Sequence, residues 1–229
     1  GNPVLTSNAF NLQSDYSDKM TIGGTVNKTF LTLMILIGSA YYSWTYISIT
    51  NVLLLPAVIG GFIVAIITIR KKEWAPITVP IYGVFQGIFL GIISNVFNTM
   101  YDGIVITAIS YTLCILFALL SVYRLGLIKP TENFKLGLAA ATGGIAIVYL
   151  ANFIMGFFGS GIPLMDINNS SMYSIGFSVF VIVIASMNLV VDFDFIEEGS
   201  EKGAPKYMEW YGAFGLMVTL VWLYLEILK

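Results

Sequence analysis

The chain has 229 residues, of which 57% are hydrophobic and only 10% charged, with a net charge of −2 and a mean hydropathy of +0.85. A soluble domain averages about 25% charged residues, so lipid is the main solvent this sequence is written for. No basic surface suggests nucleic acid. The absence of histidine removes the usual triad base, the commonest metal ligand and the commonest proton switch, and the single cysteine, Cys114, cannot form an internal disulfide.

Residues 1–25 read as a polar N-terminal tail, rich in Asn, Ser and Asp as far as Met20. No secretory signal is expected, because the first apolar run begins near Val26 and no small-residue cleavage site follows it. Residues 26–229 predict a seven-helix transmembrane domain. A spanning helix needs about 20 apolar residues. Seven runs meet that demand, at 26–46, 52–69, 77–97, 104–123, 136–158, 172–191 and 211–228. The fold class is therefore an all-α membrane protein, a seven-transmembrane-helix bundle without a soluble domain.

Orientation follows from Lys and Arg. Of the 11 basic residues, Lys19, Lys28, Arg70, Lys71, Lys72, Arg124, Lys129, Lys135, Lys202 and Lys206 fall on one side if the runs alternate. Lys229 alone falls on the other. The N-terminus is expected to be cytoplasmic and the C-terminus outside.

Within the runs, Pro56 is expected to kink the second, whereas Pro76 and Pro80 sit near the start of the third, where proline is better tolerated. Gly83, Gly87 and Gly91 recur every four residues and predict a smooth ridge for another helix. Gly60-Gly61 and Gly143-Gly144 are expected to serve in the same way. Gln86, Asn95, Asn152 and Asn188 are read as inter-helix hydrogen-bonding groups.

The uncharged sixth run, 172–191, leads straight into Asp192, in the stretch Met187-Asn188-Leu189-Val190-Val191-Asp192-Phe193-Asp194-Phe195-Ile196-Glu197-Glu198. Asp192 and Asp194 end an apolar helix and point about 200° apart, so one of them can face the interior. An EF-hand loop is excluded: Glu197 stands where that loop needs glycine, and Gly203 where it needs glutamate. Glu197, Glu198 and Glu201, with Lys202 and Lys206 beside them, read as a solvated inner loop. Glu226 is the one acid inside the seven runs. Counted from Tyr211 it lies about 22 Å along its helix, near the outer interface; a start nearer Gly215 would bring it towards mid-membrane. Intramembrane acids are functional candidates by default.

Two carboxylates brought together in low dielectric cannot easily both ionise. A shared proton holds their helices together, and a double charge parts them or accepts a cation. Hard oxygen ligands favour calcium, so Asp192 and Glu226 are candidate calcium ligands. This is a pH switch that needs no histidine. No Ser/His/Asp set, Walker loop or deep retinal lysine is present, so no enzyme activity and no required cofactor are expected.

These stretches resemble the Bax-inhibitor-like family (transmembrane Bax inhibitor motif), in its bacterial branch. The residues that carry the likeness are Asn2-Pro3-Val4-Leu5, Met20-Thr21, Gln86-Gly87-Ile88-Phe89-Leu90-Gly91-Ile92-Ile93-Ser94, Asn188 to Ile196, and Val221-Trp222-Leu223-Tyr224-Leu225-Glu226. The resemblance implies a seven-helix bundle with the last helix at its centre. It also implies a pH-sensitive calcium leak and suppression of stress-induced cell death. An acid pair at the end of helix six and within helix seven is associated with the pH switch; the matching residues are Asp192 and Glu226. Asp194 adds a third carboxylate. Arg70 is the nearest match to a basic latch that would compete for Asp192. The expected partners are the lipid bilayer and calcium or another cation, and the expected location is a bacterial inner membrane. A second reading is a membrane-embedded regulatory protein that modulates a membrane protease or a stress response, with a membrane protein as its partner.

Overall fold

The computed structural model describes residues 19–159, 161–165 and 171–229. The expectations placed on residues 1–18, among them the Asn2-Pro3-Val4-Leu5 motif, lie outside the described residues. Seven helices among those described are long and apolar enough to cross a membrane. They are built on α1 (Ile22–Thr45), α2 (Leu54–Arg70, extended to a 24-residue span by the helical turn Ile47–Thr50 and the 3-10 turn Asn51–Leu53 before it), α3 (Ala75–Met100), α4 (Ile104–Arg124), α5 (Glu132–Phe157), α6 (Met172–Glu201) and α7 (Met208–Leu228). Large apolar side chains such as Phe30, Phe62, Phe117 and Phe153 stay exposed along them, as lipid-facing surface requires.

Apart from α2, the helices are longer than the apolar runs, and caps rather than hydropathy set the starts of two of them. The first starts at Ile22, four residues before the apolar run, since Thr21 is an extended N-cap whose hydroxyl accepts from the Gly24 N–H at 2.9 Å. Thr131 caps α5 at Glu132 in the same way. Pro56 falls in the first turn of α2 and Pro80 inside α3. Just ahead of Pro56 the span changes from the helical turn Ile47–Thr50 to the 3-10 turn Asn51–Leu53, an irregularity at the place where the proline was expected to disturb it.

Two expectations near the acids are corrected. Helix α6 runs on to Glu201, so Glu197, Glu198 and Glu201 are helical and not a loop. Lys202 pairs with Glu198 one turn back, and Gly203 ends the helix in a left-handed conformation at φ 64°. Helix α7 begins at Met208, earlier than either start considered. Glu226 is then about 27 Å along it, further along than from either of those starts.

Contacts divide the chain into two compact units. Unit 1 holds residues 19–96 and 195–217 of those described, which are α1, α2, most of α3, the end of α6 and the start of α7. The glycine ridge of α3 carries α1 here. A Cβ on Gly87 would lie 2.3 Å from the Leu36 carbonyl oxygen, and one on Gly91 2.3 Å from that of Ala40. The close approach lets Ser43 Oγ donate to the Ile88 carbonyl at 3.2 Å. Gly60 and Gly61 meet Phe85 and Gln86 of α3. Tyr82 and Phe214 pack edge to face, with ring centroids 5.0 Å apart.

Unit 2 holds residues 97–194 and 218–229. Asn188 Nδ2 donates to Thr142 Oγ1 at 2.9 Å, an inter-helix bond as expected, whereas Asn152 Oδ1 accepts from the Ile162 N–H at 2.7 Å, in the connection after α5 and not in another helix. Gly143 and Gly144 do not serve as expected: a Cβ on either would meet nothing within 4 Å. Of the seven helices α7 is the most buried, with 67% of its apolar window covered against 11% for α5.

Candidate functional site

Helix α6 delivers Asp192 to the face of α7 in unit 2. Thr219 Oγ1 donates to Asp192 Oδ2 at 2.6 Å. That neutral hydroxyl is its one hydrogen-bond partner among the described residues, and no cation pairs with it there. A carboxylate in an apolar helix without a counter-ion is the least compensated charge of this unit.

Asp194, two residues on, points away from Asp192 as the helical period requires. Its Oδ2 lies 2.6 Å from Lys135 Nζ of α5, which also reaches Glu132 at 3.1 Å. Asp194 is therefore an ion-paired tie between α5 and α6.

Glu226 is buried, with 5% exposure, and its carboxylate is also paired. Tyr149 of α5 donates its hydroxyl to Glu226 Oε2, and Lys229 Nζ lies 3.4 Å from Oε1. No hydrogen bond among the described residues joins Asp192 to Glu226. Thr219 and Glu226 are seven residues apart on α7, two turns or about 10 Å along one face. Thr219 thus takes the place opposite Asp192 that the sequence reading gave to Glu226.

Arg70 is the last residue of α2, in unit 1, exposed and without an ion pair among the described residues. The site is thus built from residues of unit 2. No group of three or more His, Cys, Asp or Glu among the described residues is placed to hold a metal ion. Asp192 and Glu226, the candidate calcium ligands, each present one carboxylate at its own level.

Unit 1 contains an acid that the sequence reading missed. Glu209, in the first turn of α7, is 0% exposed. Its Oε1 accepts from the Thr21 N–H at 3.0 Å and from Thr21 Oγ1 at 2.9 Å, and Lys206 Nζ lies 3.5 Å away. Oε2 has no hydrogen-bond partner among the described residues. The carboxylate so fills the space at the N-terminus of α1 that a Cβ on Gly24 would lie 2.0 Å from Oε1. Two helix N-termini and one ammonium face this charge. The available signal was an acid directly before the seventh run, with a lysine three residues back. That pattern is ordinary for a first helical turn, and nothing local reveals that Thr21, 188 positions away, buries it.

The family model described as Bax inhibitor 1 like matches residues 2–229. No curated protein and no solved structure matches the chain.

Proposed function

The chain belongs to the Bax inhibitor 1 like family, and on that premise we propose that this integral membrane protein is a pH-sensitive cation leak, with calcium as the cation and Asp192 as the group that titrates. One observation carries the reading. Asp192 sits in an apolar helix against α7 with a neutral hydroxyl as its one hydrogen-bond partner among the described residues and no counter-ion there. Such a carboxylate is stabilised by a proton or by a cation, and exchange of one for the other is the elementary step of a proton-gated pathway. The other two acids are already compensated, Asp194 by Lys135 and Glu226 by Lys229 and Tyr149. Glu226 stands two turns along the same face of α7, as a second carboxylate on a path that includes Asp192. The same reading puts the end rich in Lys and Arg on the cytoplasmic side of a bacterial inner membrane.

The test is calcium flux into vesicles loaded with a calcium-sensitive dye, measured against pH. Wild-type protein gives a flux that changes with pH. Asp192→Asn cannot exchange a proton for a cation, so its flux loses that dependence. An unchanged pH profile in Asp192→Asn, or no flux at any pH in the wild type, overturns the proposal.

A further inference from the structure

Seven of the nine lysines sort into two kinds. Lys135, Lys202, Lys206 and Lys229 each lie against a carboxylate. Lys28, Lys71 and Lys72 have no ion pair among the described residues and lie over aromatic rings of unit 1 instead. Lys71 Nζ is 4.2 Å from the Trp74 ring centroid, Lys72 Nζ 5.0 Å from that of Tyr211, and Lys28 Nζ 5.4 Å from that of Trp210. An ammonium over a ring satisfies one side only and keeps N–H donors free for an anion.

We propose that Lys28 and Lys72 hold a phosphate anion over Trp210 and Tyr211, the headgroup of an anionic phospholipid. Trp210 and Tyr211 are neighbours in the first turn of α7, so each ammonium group stands over a ring of that one turn. The stretch is held in place. Lys19 and Pro205 form an antiparallel bridge, the Met20 N–H donates to the Ala204 carbonyl at 2.6 Å, and Thr21 is bonded to Glu209. These contacts fix the start of α1 beside the start of α7 and thereby seat Lys28, two turns beyond Thr21, at Trp210.

The charges around the site favour an anion. Arg70 and Lys71 add to Lys72 within three consecutive residues. Glu209 adjoins Trp210 in sequence, but its carboxylate is fully buried against Thr21 and Lys206. Glu73, exposed beside Lys72, opposes the anion. A lipid suits the site better than free phosphate because Lys28 stands among exposed apolar residues: Val26 is 59% and Phe30 61% exposed. Acyl chains cover such residues while the phosphate meets the ammonium, and Trp and Tyr are the side chains of that interface.

The test uses the full chain in a neutral detergent, titrated with short-chain phosphatidylglycerol, with phosphatidylcholine and, separately, with inorganic phosphate. Binding is read by tryptophan fluorescence, since Trp74 and Trp210 lie beside the lysines. Phosphatidylglycerol is expected to give a saturable change that weakens with salt, and phosphatidylcholine none. Lys28→Gln with Lys72→Gln is expected to weaken binding roughly 30-fold. Lys129→Gln, in the connection between α4 and α5, leaves it unchanged. Equal binding by wild type and the double variant, or an equal loss in Lys129→Gln, overturns the proposal. The same saturable change with inorganic phosphate alone supports the site and assigns it to free phosphate. Should the double variant fail to fold by circular dichroism, Lys72→Gln alone, at an exposed position, carries the same comparison with a smaller loss.

Discussion

Helix α7 carries a buried glutamate near each end, and each is joined to a lysine three residues away: Glu209 to Lys206 and Glu226 to Lys229. Their surroundings differ in kind. Glu209, in unit 1, accepts from a backbone N–H and a hydroxyl of Thr21, at a helix N-terminus whose dipole favours a negative charge. Glu226, in unit 2, rests on one phenol and one ammonium, both at the ends of long side chains that can turn aside. The first is a fixed joint between two helices. Burial alone does not distinguish the two acids; the kind of partner does.

The comparison breaks most visibly at Glu209. Glu209→Ala strands the Thr21 donors and leaves the start of α1 without its tie to α7. Each bond to a charged group contributes about 1.5–3 kcal/mol, and Lys206 keeps its hydration because it is half exposed. The expected loss is about 3 kcal/mol, read as a lowered midpoint of thermal unfolding in detergent. A variant as stable as the wild type would show that Glu209 is no joint.

The glycines repeat the contrast between units at a smaller magnitude. Gly87→Ala in unit 1 drives a methyl group into the Leu36 carbonyl and is expected to cost about 1–3 kcal/mol. Gly143→Ala in unit 2 meets open space, and relief of glycine's poor helix propensity makes it neutral or stabilising by up to about 1 kcal/mol. Opposite signs in the two unfolding midpoints are the expected outcome.

Glu226→Gln sharpens the comparison further. The amide still accepts from Tyr149, and only the pairing with Lys229 is lost. The expected cost is about 1 kcal/mol, less than at Glu209, with calcium flux retaining a pH dependence that Asp192→Asn abolishes.

How far the sequence carried the reading follows the range of each interaction. Seven spans were legible because hydropathy is summed over about 20 neighbouring residues. Helix ends were not, because Thr21 and Thr131 act one residue at a time. The α3 ridge was legible as a period-four pattern, while Gly143-Gly144 shows the same residues with no helix against them. Asp192 announced itself by ending an apolar run. Its partner did not, because a threonine on an apolar helix is unremarkable and Glu226 was the only acid in that run. Asp194 was singled out as an extra carboxylate, but its bond to Lys135 joins residues 59 positions apart, beyond any local pattern. Glu209 was left out because the seventh run was begun at Tyr211, two residues too late to contain it.

Thr219→Val has the smallest expected effect on stability and the most direct bearing on Asp192. The lost hydrogen bond is worth about 1 kcal/mol net, so the variant folds. The hydroxyl donates to Asp192 Oδ2, and a donor favours the charged form of a carboxylate over the protonated one. Without it, the competition between proton and calcium at Asp192 shifts towards the proton. Calcium flux in vesicles should then reach the same level only at higher pH or higher calcium. Thr219→Ser restores the donor and should return the profile to that of the wild type. If both variants follow the wild-type profile, the Thr219 hydroxyl has no influence on the titrating group, and the titration resides elsewhere than in Asp192.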